Sequence, residues 1–167
     1  LVRGATAALA VLAALALGAS GCGEGAGVAA GATVHVYVSV PLSGPQAAAG
    51  RRSCAAAKRA LAQRGGKAGD LKVQATCLDS AAGAPRPWNL AAVGANARQA
   101  VEDSTTVAYI GELDPAATRF SAPILEAAEI GQLPATSGES AMRQILKLLA
   151  TNSGNPRESI FESLSGS

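Results

Sequence analysis

Few side chains in this 167-residue chain could do chemistry: three cysteines, one histidine, and a scatter of hydroxyls and carboxylates. Cys54 and Cys77 are too far apart for the C-x-x-C spacing of a metal or redox site. His35 has no Cys, Asp or Glu near it at ligand spacing, so it reads as structural and no metal is expected. Ser137-Gly138-Glu139-Ser140 lacks the G-x-S-x-G of a nucleophile elbow, and the one histidine precedes every candidate nucleophile. Glu112, Asp114, Glu126 and Glu129 form no acid/base pair and read as caps or solvated helix faces. Neither a catalytic residue nor a cofactor is expected, and the chain does not read as an enzyme. Hydrogen bonding remains. Ser43, Thr118, Thr136 and Ser137 lie in short Gly/Pro-rich loops, where a hydroxyl either meets a small polar ligand or serves as an ordinary cap or turn residue.

The composition sets the frame for that chemistry. With 49% hydrophobic, 16% charged and only 3% aromatic residues, the chain suits one small domain whose core is built from Ala, Val, Leu and Ile. Lys and Arg number 14 against 12 Asp and Glu, a net charge of +2 that is too balanced to make nucleic acid or an anionic membrane the main partner. Trp88 follows Pro87 in a loop and reads as cover for an edge of the core rather than a stacking platform.

Residues 1–21 read as an address. Arg3 precedes an apolar run from Gly4 to Ala19, and Ala19-Ser20-Gly21 places small residues just before Cys22. The run resembles a bacterial lipoprotein signal, which implies cleavage before Cys22, acylation of that cysteine, and export to the periplasmic or extracellular face of the cell membrane. A plain signal peptide with a chance cysteine is the alternative, but it leaves an odd thiol in an oxidising compartment. Residues 22–32, rich in Gly and Ala, then form a flexible tether. With Cys22 acylated, Cys54 and Cys77 are an even pair; a structural disulfide fits, and two buried free thiols are the other reading.

The elements alternate. Val34, Val36, Val38 and Val40 share one face of a strand over 33–40. Cys54, Ala57 and Leu61 mark a helix that Gly65-Gly66 stops, and 71–78 is a second strand. Leu90, Val93, Ala97 and Val101 mark a helix running to about Asp103, with a strand over 106–110 after it. Asp114-Pro115 caps a helix expected to reach Ala128, and 130–133 is a fourth strand. Two further helices follow, the second opened by Asn155-Pro156 with Glu158. This order predicts an α/β fold, a doubly wound parallel sheet in three αβα layers, whose ligands bind at the carboxyl ends of the strands. The loops there are 41–50, 111–118 and 134–140. A Rossmann-type enzyme needs a glycine-rich first turn, which Pro41 to Pro45 does not supply.

Several collinear runs over 33–138 resemble the first lobe of the type I periplasmic substrate-binding proteins, in particular the leucine/isoleucine/valine branch that serves ABC transporters. They are Pro41-Leu42-Ser43-Gly44-Pro45 with Gly50, Asp79 after the second strand, Ala92-Val93-Gly94-Ala95-Asn96-Ala97-Arg98, and Val107-Ala108-Tyr109-Ile110-Gly111-Glu112. The resemblance implies an amino-acid-like small-molecule ligand held by Ser43, Ala117, Thr118, Thr136 and Ser137, a membrane permease as partner, and no nucleic acid. Pro115 stands where the family often has a hydroxyl donor, and Ala49 where some members carry an aromatic. The family has two lobes, and the residues after Cys22 suffice for one. The segment 139–167 is similar to helices that lie late in full-length relatives, which implies a remnant left after loss of the second lobe. The expected function is a substrate-binding lipoprotein of an ABC importer for branched-chain or related amino acids or small amides. The alternative is a degenerate lipid-anchored structural or protein-interaction domain without transport binding.

Overall fold

The computed structural model describes residues 29–152 and 154–166. The lipidation site expected at Cys22, the leader before it and the tether up to residue 28 lie outside the described residues. The described residues form five strands and five α-helices in the order β1 (Thr33–Val40), α1 (Ala47–Ala62), β2 (Lys67–Ala68), β3 (Leu71–Asp79), α2 (Leu90–Glu102), β4 (Thr106–Ile110), α3 (Pro115–Glu126), β5 (Gly131–Leu133), α4 (Gly138–Thr151) and α5 (Pro156–Ser165). A single 3-10 turn, Ala135–Ser137, joins β5 to α4.

The sheet order is β2-β3-β1-β4-β5, with β3, β1, β4 and β5 parallel. The two-residue β2 pairs antiparallel with the start of β3, a hairpin too short to leave a periodic pattern in the sequence. Val34, Val36, Val38 and Val40 pack into one core cluster with Ala57 and Leu61 of α1, Met142, Ile145 and Leu146 of α4, and Ile160 of α5. The C-terminal helices therefore share the core of the 33–138 segment. On the other face Tyr37, Tyr109, Ala97, Ala100, Leu125 and Ile130 form the second cluster, beneath α2 and α3. A sheet buried on both faces in this way is the three-layer arrangement expected of parallel strands.

Local chemistry sets the ends of the elements. Asn89, Asp114 and Asn155 each accept a backbone N–H as N-caps, with Pro115 and Pro156 at the first turn of α3 and α5. α3 stops at Glu126, two residues short of expectation, because Glu129 adopts φ 54° and turns the chain into β5. Glycine permits two close approaches. A Cβ on Gly50 would lie 1.8 Å from the Pro41 carbonyl oxygen, and one on Gly138 would lie 2.2 Å from that of Ser53. Cys54 of α1 and Cys77 of β3 form a disulfide, with Cα atoms 6.1 Å apart.

Candidate functional site at the carboxyl ends of the strands

From β1 the chain crosses to β3 on one side and then to β4 on the other, so the connections diverge between the carboxyl ends of β1 and β4. That is the switch point at which open α/β sheets bind ligands. Three connections converge there: 41–46, 111–114 and 134–137.

The first is fastened from below by Asp79 at the end of β3. Its Oδ1 accepts the Leu42 N–H at 2.8 Å and the Ala81 N–H at 2.9 Å, and its Oδ2 accepts the Ser43 hydroxyl at 2.5 Å. Ser43 Oγ in turn accepts the Gly83 N–H at 2.6 Å. Burial raises the Asp79 carboxyl, but these bonds outweigh it and hold the group below the usual carboxylate range. Ser43 thus ties two loops together.

The second connection hangs on a buried carboxyl. Glu112 is 2% exposed, not a cap or a solvated helix residue as the sequence suggested. The Ser39 hydroxyl donates to its Oε2 at 2.9 Å, the Tyr109 hydroxyl to its Oε1 at 3.0 Å, and Asn96 Nδ2 donates to Ser39 Oγ at 3.0 Å. Burial pushes Glu112 up to about 7, while the Ser39 and Tyr109 bonds pull the other way. The Tyr109 phenol is held well above its ordinary value by its own burial and then by the neighbouring carboxylate. Asp114 caps α3, and its Oδ2 accepts the Trp88 indole N–H at 3.1 Å. Trp88 packs on Phe120 with ring centroids 5.6 Å apart.

The third connection is fixed to α1, since the Ser53 hydroxyl donates to the Ala135 carbonyl at 2.6 Å. Ser137 caps α4 by accepting the Ser140 N–H. Thr136 and Ser137 are both exposed. They border a cleft of about 680 Å³ together with Ala48 and Ala49 of α1, Leu113 of the second connection, Arg51, Arg52 and Arg59 of α1, and Glu139 of α4. Thr118 borders a different depression, of about 530 Å³, with Gly111, Gln132 and Phe161. Ala117 lies within α3 on its buried face, 1% exposed. The structure therefore brings Thr136 and Ser137 together and sets Thr118 and Ser43 apart from them.

In the sequence Asp79 entered only through the family resemblance, Glu112 read as a cap or solvated residue, and the arginines of α1 carried no assigned role. A carboxylate directly after a strand signals Asp79, and the dibasic Arg51-Arg52 is visible as such. Nothing in the local sequence distinguishes Glu112 from its solvated neighbours. At the opposite end of the sheet, the fold brings Asp103 within 3.5 Å of His35 Nδ1, while His35 Nε2 meets Thr76 Oγ1 at 3.1 Å and the ring stacks on Tyr37. Among the described residues no group of three or more metal-ligating side chains forms, and no helix is long and apolar enough to cross a membrane.

No protein-family model matches the chain, and no curated protein matches it in sequence. Solved structures do match it in shape. A leucine binding protein, LivK, from Thermotoga maritima superposes with a TM-score of 0.54 at 22% identity, over 62% of this chain and 28% of that one. The branched-chain amino acid transporter substrate binding protein LivJ from Streptococcus pneumoniae, solved with isoleucine, gives 0.52 at 17% identity, over 61% and 28%. A solute binding protein of an ABC transporter from R. palustris, solved with 4-hydroxybenzoate, gives 0.54 at 23% identity, over 63% and 27%. The chain spans less than a third of the length of these structures. Sheet order, flanking helices and these superpositions agree that about three fifths of this chain shares its fold with part of the type I periplasmic binding proteins.

Proposed function

We propose that this chain is a solute-binding component of an ABC importer, exported and held at the membrane through an acylated Cys22, and that the cleft beside Thr136 and Ser137 faces the ligand. The observation that carries the reading is the position of that cleft. It reaches the carboxyl ends of the strands and combines exposed hydroxyls, the N-terminus of α4, three arginines against one carboxylate, Glu139, and apolar lining from Ala48, Ala49 and Leu113. Such a set suits a small solute with a carboxylate at one end and an apolar body at the other. Branched-chain or related amino acids come first, then small amides. Isoleucine and 4-hydroxybenzoate, found in two of the matching structures, share that carboxylate and belong in the same panel. Thr136, Ser137 and the arginines orient the polar end. A second surface closing over the cleft would supply the desolvation that one side alone lacks. The membrane permease would be the partner that receives the solute.

A second reading, a lipid-anchored interaction domain without transport binding, draws on the Ser43 hydroxyl being tied to Asp79 and on Thr118 lying in another depression. A thermal-shift screen of the chain, disulfide intact, separates the two. A reproducible rise in Tm with one class of solute, diminished in Thr136→Ala, supports the receptor. A cooperative melt that no solute moves supports the interaction domain.

A further inference from the structure

Although the chain is nearly neutral overall, its charges are segregated. α1 contains no acidic residue, and Arg51, Arg52, Lys58 and Arg59 all lie exposed on its outer face, two dibasic pairs repeating after two helical turns. From Lys58 to Lys72 there are five cations, all exposed, and one carboxylate, Asp70 in the β2–β3 turn. Within that hairpin Lys67 stands directly opposite Lys72. Like charges in directly opposed strand positions destabilise a ladder, so folding alone gives no reason for the pair. Arg64 lies in the same corner, its carbonyl accepting the Lys67 N–H at 3.3 Å. Among the described residues none of these five cations is in an ion pair. The upstream chain enters at this corner: the Gly31 N–H donates to the Asp70 carbonyl and the Lys72 N–H to the Ala32 carbonyl, both at 2.9 Å. The ligand-facing cleft opens at the other end of the strands.

We infer that the corner formed by Arg64, Lys67 and Lys72 docks on an anionic phospholipid surface. Cations clustered near a bilayer are attracted by anionic headgroups, so a basic patch beside the tether adds an electrostatic contact that orients the domain on the surface. Docked this way, the domain turns its strand ends away from the membrane. The inference rests on the lipid-anchor reading only for what brings the domain to the bilayer; the surface itself acts without the lipid.

The test is co-sedimentation of the full chain carrying Cys22→Ser with vesicles of phosphatidylcholine, alone or mixed with phosphatidylglycerol. Arg3 and the apolar run of residues 4–19 are identical in the chain and its Lys67→Glu variant, so their contribution cancels in that comparison. Preferential binding to the anionic vesicles that fades with added salt is expected, and Lys67→Glu should lower it by about fivefold or more. The same substitution replaces a like-charge pair by an attractive one, so its Tm should rise while binding falls, a combination that misfolding does not produce. Equal binding to both vesicles, or unchanged binding by Lys67→Glu, would overturn the inference. Solute-induced thermal shifts in Lys67→Glu should match those of the unsubstituted chain, so docking and solute binding fail separately. Binding to a soluble polyanion in preference to anionic vesicles would also count against a membrane surface.

Discussion

The Ser43 hydroxyl donates to Asp79 Oδ2 at 2.5 Å while accepting the Gly83 N–H at 2.6 Å, so a side chain placed where it could meet a ligand instead joins the loops that follow β1 and β3. Asp79 adds bonds from Leu42 and Ala81 and becomes the fastening of the whole switch-point loop. Removing the carboxylate leaves those backbone donors without their partner. Asp79→Ala should therefore lower stability by about 1–3 kcal/mol, and Ser43→Ala by about 1 kcal/mol, in urea denaturation. Ser43→Ala should leave the affinity for a bound solute unchanged.

Glu112 predicts a pH dependence of the opposite sign from the ordinary carboxylate. Its folded value, about 7, lies above its usual 4.5, so the protonated form is the one the fold favours. Stability from this group is full below about pH 4.5 and declines as pH rises towards about 7, by about 3 kcal/mol in all. Asp79 and Asp103, both lowered, act at more acid pH, where stability is lost as they protonate. Glu112→Gln keeps the shape without the charge, its amide N–H donating to one of the two hydroxyls from which Glu112 accepts. Urea midpoints at about pH 5 and about pH 8 should differ clearly in the parent chain and converge in this variant.

The Cys54–Cys77 bond ties α1 to β3 across a sequence separation of 23 residues. In a core of small side chains, closing that loop contributes about 3 kcal/mol through the unfolded chain. Reduction should lower Tm reversibly, and the Cys54→Ala, Cys77→Ala double variant should melt at the reduced temperature whether or not reductant is present.

Much of this architecture could be read in the sequence because its signals are local. The four valines of β1 alternate, and Asp114-Pro115 and Asn155-Pro156 announce their helices through side chains that cap the next turn. What escaped is set by tertiary position. Lys67–Ala68 is a strand only because Leu71–Lys72 folds back on it. Glu112 looks like any surface glutamate until Ser39, 73 positions earlier, donates to it. The hydroxyls of Ser43, Thr118, Thr136 and Ser137 are chemically alike in sequence, and only the packing of α1 against the β5–α4 connection selects Thr136 and Ser137 for one cleft.

That selection can be tested directly. Thr136 is exposed and caps no helix, so Thr136→Ala should leave Tm unchanged and weaken solute binding by about fivefold, the loss of one hydrogen bond. Thr118→Ala, in the neighbouring depression, should leave solute binding unchanged. Calorimetric titration of both variants with the same solute distinguishes the two positions.

The central claim is that the cleft at the strand ends receives a small carboxylate-bearing solute. The measurement that tests it most directly is the melting temperature of the disulfide-intact chain against branched-chain amino acids, small amides and hydroxybenzoates at concentrations well above their dissociation constants. A solute at a hundred times its dissociation constant adds about 2.7 kcal/mol of stability, a shift easily read for a domain of this size. Such a shift is expected with one solute class, and Thr136→Ala should reduce it by about a third at the same concentration, as a fivefold weaker affinity requires. A cooperative melt that no solute moves, or a shift that Thr136→Ala retains in full, would contradict it.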